Sequence, residues 1–305
     1  MKESEFDYNE WKVGLALGRL VIEGKNPFVL KYYSANMNDE TNLQNLIDQK
    51  KDLPSPILRV ILKQLFEGLR LMHEMGLIHR DLKGENIMLH SPPGSGRVFL
   101  KIADFGLTKI QKNNQQSTLM TVAGTLPFMC PELLIETSDE QGSEDQVKAD
   151  SKIDMWSAGI LLHQLTAHTF PFKSTQLPSI TSFMINKTLT RPAVLIDNQL
   201  WDLLRGLLAF NRKVRLSAVD ALNHQYFTGQ QAMTDILEES KLLAQQSQIV
   251  KQQGKQYVTL YDLNTSFIFP ITEADKIINK NIEQFQLQII SCLYNHILQQ
   301  FLRKK

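Results

Sequence analysis

His79-Arg80-Asp81-Leu82-Lys83-Gly84-Glu85-Asn86, followed after a hairpin-like stretch by Asp104-Phe105-Gly106, is the densest set of chemically capable groups in the chain. Asp81 is a candidate proton acceptor, and Asn86 and Asp104 carry oxygens of the kind that magnesium prefers. A carboxylate beside two oxygen donors for a hard cation can serve phosphoryl transfer. The cation offsets phosphate charge and the carboxylate receives the proton of an attacking hydroxyl. Lys83, two residues after Asp81, adds a positive charge that can meet a transferred phosphate. A lone His-Arg-Asp tripeptide would carry little weight, because a charged loop is usually just solvated. The longer motif together with the Asp104 triplet carries much more.

These residues must be brought together by the elements around them. Pro54 and Pro56 introduce a helical spacing of Ile57, Ile61, Leu65, Leu69 and Met72 that ends near Gly76 and delivers the chain into the His79 loop. Ser91-Pro92-Pro93-Gly94-Ser95-Gly96 reads as a turn between strands at Ile87–Leu89 and Val98–Ile102, so the ends bearing Asn86 and Asp104 meet at one place. Helical periodicity returns at Ile153–Leu165 and Leu200–Ala209, and Asn42–Ile47 reads as a short helix. Nearer the start, Val13–Ile22 and Phe28–Tyr33 are apolar runs separated by Glu23-Gly24-Lys25-Asn26-Pro27, the pattern of a strand hairpin.

Composition sets the outer limits. A chain of 305 residues, 43% of them hydrophobic, can bury the core of one large domain or two smaller ones. Thirty-three basic residues against 32 acidic ones leave a formal charge of +1, so no global field favours nucleic acid or an anionic membrane, and neither is expected as a partner. Cys130 and Cys292 form no metal or redox spacing, which points to a reducing compartment. Met1 is followed by Lys2, Glu3, Glu5, Asp7 and Glu10, too acidic for a secretory or transit signal. No run reaches the ~18 apolar residues of a membrane span. A soluble protein of the cytoplasm or nucleus is expected.

Two further segments complete a pattern. Thr121-Val122-Ala123-Gly124-Thr125-Leu126-Pro127-Phe128-Met129-Cys130-Pro131-Glu132 follows the Asp104 triplet, and Asp154-Met155-Trp156-Ser157-Ala158-Gly159 opens the next helix. With the first two motifs they resemble the eukaryotic protein kinase family, Ser/Thr type, from about residue 13 to residue 227. The resemblance implies an α+β, two-lobed fold with a mostly helical C-lobe, a reduced N-lobe sheet and an extra helical tail. Residues 1–33 would be residual N-lobe strands and hinge, 34–228 the C-lobe, and 229–305 a helical extension. ATP and Mg2+ are the implied cofactors, and protein serine or threonine hydroxyls the implied substrates.

The family's roles then fall on particular positions. Asp81 and Lys83 would be catalytic, with Lys83 contacting the transferred phosphate. Asn86 and Asp104 would hold magnesium. Leu30, in the gatekeeper region, Lys31 and Tyr32, in the hinge, would border adenine together with Met88. Thr125 would bond Asp81 and Lys83. Thr121 matches the usual activating phosphosite, whose phosphate Arg80 could pair with; Ser117 and Thr118 compete for that role, and an ordinary loop hydroxyl is the plain alternative. Glu132 and Arg215 match a buried ion pair, Asp154 a hydrogen-bond acceptor for the catalytic loop, and His79 and Phe105 members of an internal apolar stack. Cys130 stands where the family usually has alanine. The interval from Glu132 to Asp154 is longer than usual, and its Asp139, Glu140, Glu144 and Asp145 read as a solvent-exposed acidic loop, a substrate-charge filter being the other reading.

The chain departs from the pattern ahead of the hinge. A glycine-rich loop over the phosphates, a strand lysine and a helix glutamate are not found, and the segment before Leu30 is too short for all three. A rival alignment takes Gly14 to Gly18 as the phosphate loop and Phe28-Val29-Leu30-Lys31 as the lysine strand, but the glycine spacing is wrong and too little chain then separates Lys31 from Asp81. Glu3 and Glu5 are candidates for a residual helix glutamate. Three explanations stand: a shortened form of an ordinary kinase, a pseudokinase or scaffold acting by protein binding, or a protein whose tail supplies the missing contacts. The first is favoured, because Asp81, Lys83, Asn86, Asp104 and Thr125 all keep a chemically competent residue type. A small-molecule kinase is disfavoured by the Gly124–Glu132 segment, which builds a peptide platform.

Beyond Gly229 the reading is a Gln-rich helical stretch at 230–253, a strand at Tyr257–Tyr261 and a second helix. There Ile278, Ile282, Phe285, Ile289, Leu293, Ile297 and Phe301 make one apolar face that must be covered, either by the C-lobe or by a partner or second copy.

Overall fold

Every side chain from Ile153 to Leu165 is buried, in a helix that runs Lys152–Ala167 and is apolar nearly all round. A helix of that kind must be surrounded on all sides, and the rest of the fold is organised to do so. The computed structural model describes residues 27–28, 41–110, 118–121, 123–135, 146–255 and 258–278, excepting the side chains of 110, 118–121 and 146–149.

In chain order these residues form β1 (Thr41–Asn42), α1 (Leu43–Asp48), α2 (Ser55–Glu74), β2 (Leu77–Ile78), β3 (Ile87–His90), β4 (Arg97–Ile102), β5 (Lys109–Ile110) and β6 (Thr118–Thr121). There follow α3 (Pro131–Leu134), β7 (Gln146–Ala149), the buried helix α4 (Lys152–Ala167), α5 (Leu177–Asn186), α6 (Asn198–Leu207), α7 (Ala218–Leu222) and α8 (Gln225–Thr228). The tail contributes α9 (Gln230–Thr234), α10 (Glu238–Gln252), α11 (Leu260–Leu263), β8 (Phe269–Pro270) and α12 (Ile271–Ile278).

Local chemistry starts and stops the elements that matter for the site. Asn42 caps α1 reciprocally with Asn45, at 3.0 and 3.1 Å. Proline near its first turn suits α2, where an amide would have no partner in any case. One face of α2, from Ile57 through Leu69 to Met72, joins the main core with Trp156 and the apolar side chains of α4. The hairpin of β3 and β4 pairs Ile87 with Ile102 and Met88 with Lys101, in an antiparallel sheet ordered β1-β3-β4-β8. The expected turn at 91–96 and both of its strands are therefore present.

The tail residues through Ile278 pack back on this body. Phe269, Ala274 and Ile277 belong to the same apolar core as α2 and α4. Arg97, buried at the base of β4, pairs with Asp262 at 2.5 Å and donates to the Leu243 carbonyl at 2.7 Å and to Ser247 Oγ at 2.6 Å. Gln64 of α2 accepts from the Leu100 amide and donates to the Phe267 carbonyl, each at 2.7 Å, tying strand, helix and tail together.

Three local expectations need correcting. Phe28 lies in a turn and not at the head of a strand. Its burial comes from contacts with distant aromatic residues, which a local pattern cannot register. Of the strand expected at Tyr257–Tyr261, Tyr257 lies outside the described residues, and Leu260 and Tyr261 are in a helix instead, because Thr259 and Asp262 form a capping box that starts α11. The interval between Glu132 and Asp154 is not loop throughout: β7 pairs antiparallel with β6, Thr121 facing Gln146. The runs at Val13–Ile22 and 29–33, the residues Gly14, Gly18, Glu3 and Glu5, the four acidic residues at 139–145 and the apolar face from Ile282 to Phe301 lie outside the described residues.

His163 supplies a pH dependence. Buried in α4 with Nδ1 2.7 Å from the Thr169 carbonyl, it has its pKa lowered by desolvation. A base kept neutral by the fold but free to protonate when unfolded gives stability that is present above the ordinary histidine pKa and lost as the pH falls through the folded value. Denaturant unfolding is expected to show stability declining below about pH 6.5, and His163→Gln should flatten that part of the profile. An unchanged slope there in the variant would remove His163 as its source.

Candidate active site

Asp154 sits at the start of α4 and is fully buried. Its carboxylate accepts the amides of His79 and Arg80, both at 2.9 Å, and lies 2.8 Å from His73 Nε2. Burial alone would raise its pKa, but the hydrogen bond with His73 and the other partners hold it below the ordinary aspartate range. A fixed anion thus takes up two amides of a loop that has no ladder of its own. His73, in the last turn of α2, was not anticipated; a single histidine at a helix end gives no signal until α4 is placed beside it.

The loop leaves this anchor with Arg80 at φ +72°, an uncommon backbone state for a residue with a side chain. Asp104, at the mouth of the β3–β4 hairpin, has φ +62°. Such conformations cost on the order of 1–3 kcal/mol each and persist only where surrounding structure enforces them. His79 contributes to that structure: its Nε2 is 2.9 Å from the Ala103 carbonyl, and its ring meets the edge of Phe105 at 5.6 Å between centroids.

Asp81 is held from several sides. Thr125 donates to its Oδ1 from the backbone amide at 2.9 Å and from the hydroxyl at 2.6 Å. Lys83 Nζ lies 2.9 Å from Oδ2, and Asn86 Nδ2 donates to the same oxygen at 3.2 Å. Burial would raise the pKa of this carboxyl, but the bonds from Thr125 and Lys83 outweigh it and keep the group ionised below its ordinary range. Lys83 also donates to Thr125 Oγ1 at 2.9 Å, which closes a triangle of aspartate, lysine and threonine.

Gly124 makes this closure possible. Its φ is +122°, and a Cβ there would stand 2.6 Å from the Arg80 carbonyl oxygen. Only glycine lets the Thr125 segment approach the Asp81 loop so closely.

Asn86 and Asp104 meet as the hairpin dictates. The Ala103 amide donates to the Asn86 carbonyl at 2.9 Å, one residue short of Asp104. Asn86 Nδ2 also donates to the Asp81 carbonyl at 2.8 Å, leaving Oδ1 as the amide's ligand atom. Asp104 is exposed, with one carboxylate oxygen 3.3 Å from the Gly106 amide. This oxygen-only pair suits a hard cation such as Mg2+. Among the described residues no group of three or more His, Cys, Asp or Glu is assembled for a metal.

The Thr125 segment is fastened below. Glu132 and Arg215 are both buried and form a two-pronged pair at 2.6 and 2.8 Å. Desolvation opposes charge on each, yet their mutual bonds leave the carboxyl below and the guanidinium above their ordinary ranges. Cys130 is buried beside them, and burial raises its thiol pKa, which makes a reactive thiolate unfavourable.

Met88 is buried in β3 between Asn42 and Lys101. Arg80 Nη1 lies 3.4 Å from the Leu107 carbonyl. Thr121 ends β6, and its side chain, like Leu30, Lys31 and Tyr32, lies outside the described residues. The structure therefore assembles Asp81, Lys83, Asn86 and Thr125 directly, places Asp104 at the adjoining hairpin end, and puts Glu132, Arg215 and Asp154 beneath them.

The described body is mostly helical and carries an aspartate–lysine–threonine triangle beside an Asn/Asp oxygen pair. The Protein kinase domain family matches residues 25–227, and the chain belongs to the protein kinase family, with its two-lobed α+β fold. It is similar to Sperm motility kinase 3A of Mus musculus, 32% identical over 197 residues, which are 64% of this chain and 36% of that protein. It is also similar to Serine/threonine-protein kinase 36 of Mus musculus, 29% identical over 190 residues, or 62% of this chain and 13% of that one. For Serine/threonine-protein kinase ULK1 of Homo sapiens the identity is 29% over 192 residues, 61% and 17% of the two chains. The matched region thus covers between 13% and 36% of these three relatives' own length.

Proposed function

We propose that the chain is a protein serine/threonine kinase that transfers the ATP γ-phosphate to serine or threonine hydroxyls of proteins. The observation that supports this most directly is the triangle of Asp81, Lys83 and Thr125, a charged and oriented acceptor next to the Asn86–Asp104 oxygen pair. Asp81, kept ionised, is a weak base, so it takes the hydroxyl's proton only late, once the attacking oxygen has begun to bond phosphorus. Lys83 offsets charge on the phosphoryl group in flight, and Thr125 holds both side chains in place. Asn86 and Asp104 would hold magnesium, which would supply positive charge to offset that of the phosphate oxygens.

In the same reading Leu30, Lys31, Tyr32 and Met88 border adenine, Thr121 is the regulatory phosphosite read by Arg80, and residues 1–33, 34–228 and 229–305 are the hinge segment, C-lobe and extension. Protein substrates fit the platform that Gly124–Glu132 builds. No helix among the described residues is long and apolar enough to cross a membrane. A cytoplasmic or nuclear setting accords with that and with the two distant cysteines.

The test is Mg2+-dependent transfer of γ-phosphate from labelled ATP to serine- and threonine-containing peptides, with the full chain shown to be folded by circular dichroism. Phosphopeptide formation that is lost on chelating magnesium is the expected result. A folded sample that neither turns over ATP nor phosphorylates peptide would instead indicate a module acting by protein binding.

A further inference from the structure

Among the described residues no carboxylate bonds to the ammonium of Lys63. Half-buried on α2, this side chain donates to Ser266 Oγ at 2.7 Å and lies 5.0 Å from the centre of the Phe267 ring. The Ser266 hydroxyl donates onward to Asn264 Oδ1 at 2.8 Å, so it answers the ammonium as a neutral acceptor only. The acids nearby are committed elsewhere. Glu67, one turn along α2, takes Arg70 at 2.6 and 2.8 Å and the Tyr261 hydroxyl at 2.7 Å, and acts on Lys63 only through space. Asp235 takes Arg59 at 2.7 Å, Ser55 at 3.1 Å and Gln231 at 2.6 Å. Burial lowers the pKa of Lys63, as befits a charge withdrawn from water with no counter-ion against it.

Lys63 and Arg59, one turn apart on α2, stand on the wall of a cavity of about 130 Å³ between that helix and the tail. Val60 and Phe227 line it from the kinase body, and Ala232, Leu237 and Ile268 from the tail. The family match stops at residue 227, so the cavity exists only because the tail packs where it does. Arg59 is buried; its terminal nitrogens bond the Tyr226 carbonyl, Ser55 and Asp235, while its Nε has no partner among the described residues. The charged groups lining the cavity are two cations, Arg59 and Lys63, and one anion, Asp235. One positive charge is therefore left over beside apolar surface. A mostly apolar concavity with a few converging polar groups is the usual form of a small-molecule site.

Size and charge narrow the choice of ligand. An apolar cavity of about 150 Å³ holds a benzene molecule, so this one has room for about six non-hydrogen atoms. A single excess positive charge matches a single negative one, and Asp235 would repel a second. A phosphate dianion therefore fits less well than a monocarboxylate, whose hydrocarbon chain can also cover the apolar wall.

We propose that this cavity binds a small aliphatic monocarboxylate, with its carboxylate on Lys63 and its chain against Val60, Leu237 and Ile268. An acid held there bonds α2 on one side and packs on the tail on the other, so it ties the extension to the kinase body. The cavity shares no residue with the Asp81 site and stands whether or not the chain transfers phosphate.

The probe is butyrate, titrated into the full chain, isotope-labelled at its methyl groups, at constant ionic strength. The methyl signals of Val60, Leu237 and Ile268 are expected to move and saturate with a Kd on the order of 1 mM, while those of Ile160 and Leu204 in the main core stay in place. Lys63→Met, which keeps the length of the side chain and removes its charge, should weaken binding at least about tenfold. Butyramide, of the same shape without the charge, should bind the parent chain at least about tenfold more weakly than butyrate. No saturable shift with butyrate up to about 100 mM overturns the site. Unchanged affinity in Lys63→Met, or butyramide that binds as tightly as butyrate, overturns recognition of the carboxylate by Lys63. If Lys63→Met displaces the core methyl signals before any ligand is added, the butyramide comparison on the parent chain decides that point alone. Inorganic phosphate that binds more tightly than butyrate overturns the choice of a monocarboxylate.

Discussion

Asp81→Asn is expected to lower kcat for peptide phosphorylation by about 10²–10⁴-fold and to leave KM for ATP nearly unchanged. Asparagine matches aspartate in size, and its carbonyl oxygen can still accept both bonds from Thr125, so the loop keeps its shape. What disappears is the negative charge that draws Lys83 to 2.9 Å and, on the proposed mechanism, the oxygen that receives the hydroxyl's proton. An amide has no useful basicity at neutral pH. The measurement is steady-state kinetics on purified variant and parent, with hydrogen exchange of α4 as the check on folding. A variant that retains more than about a tenth of parental kcat would mean that Asp81 is not the proton acceptor.

The second large effect concerns stability. Arg215→Ala is expected to cost about 3–5 kcal/mol, because it leaves the Glu132 carboxylate buried without its partner. The loss exceeds one bond. Arg215 also donates to the Ala209 carbonyl at 3.0 Å and to the Lys152 carbonyl at 2.9 Å, and lies over Trp156 at 5.1 Å. With Arg215 gone, burial would dominate at Glu132 and raise its pKa, so the deficit should shrink as acid protonates the carboxyl. The double variant Arg215→Met with Glu132→Leu should recover most of the loss, since apolar groups of similar volume can replace a buried pair at little cost. Denaturant melts of the two single variants and the double close the cycle. Additive losses would show that the two side chains are not coupled.

How much of this was legible beforehand depended on the range of the forces involved. The His79–Asn86 loop and the Thr121–Glu132 segment could be recognised because their chemistry fixes residue types at fixed short spacings. The β3–β4 hairpin could be recognised because Pro92, Pro93, Gly94 and Gly96 are turn residues whatever surrounds them. α2 and α4 announced themselves by helical spacing. Phe28 could not be placed in the same way. An apolar aromatic beside valine and leucine looks like strand, and the rings that hold it come from far along the chain. Nor does any local pattern show that two residues, Phe269 and Pro270, will pair with β4. Thr259 is a different case: a threonine three residues ahead of an aspartate is a helix-start signal, outweighed in the reading by the β-branched and aromatic residues around it. At the site, the motif spacing already groups Asp81, Lys83 and Thr125, which the hydrogen bonds join, whereas the contact of His73 with Asp154 depends on packing.

The pairing of β8 with β4 has a bearing on where the protein can be cut. The family match ends at residue 227, and a fragment made to that boundary would keep the whole Asp81 site. It would lose Phe269, Ala274 and Ile277 from the core, bare the β4 edge at Arg97 and Val98, and strip Arg97 of Asp262, the Leu243 carbonyl and Ser247. An open strand edge beside newly uncovered apolar surface is an invitation to self-association. The packed core of this chain therefore extends past its family match, and a piece cut at residue 227 is expected to associate with itself where the chain through Ile278 does not.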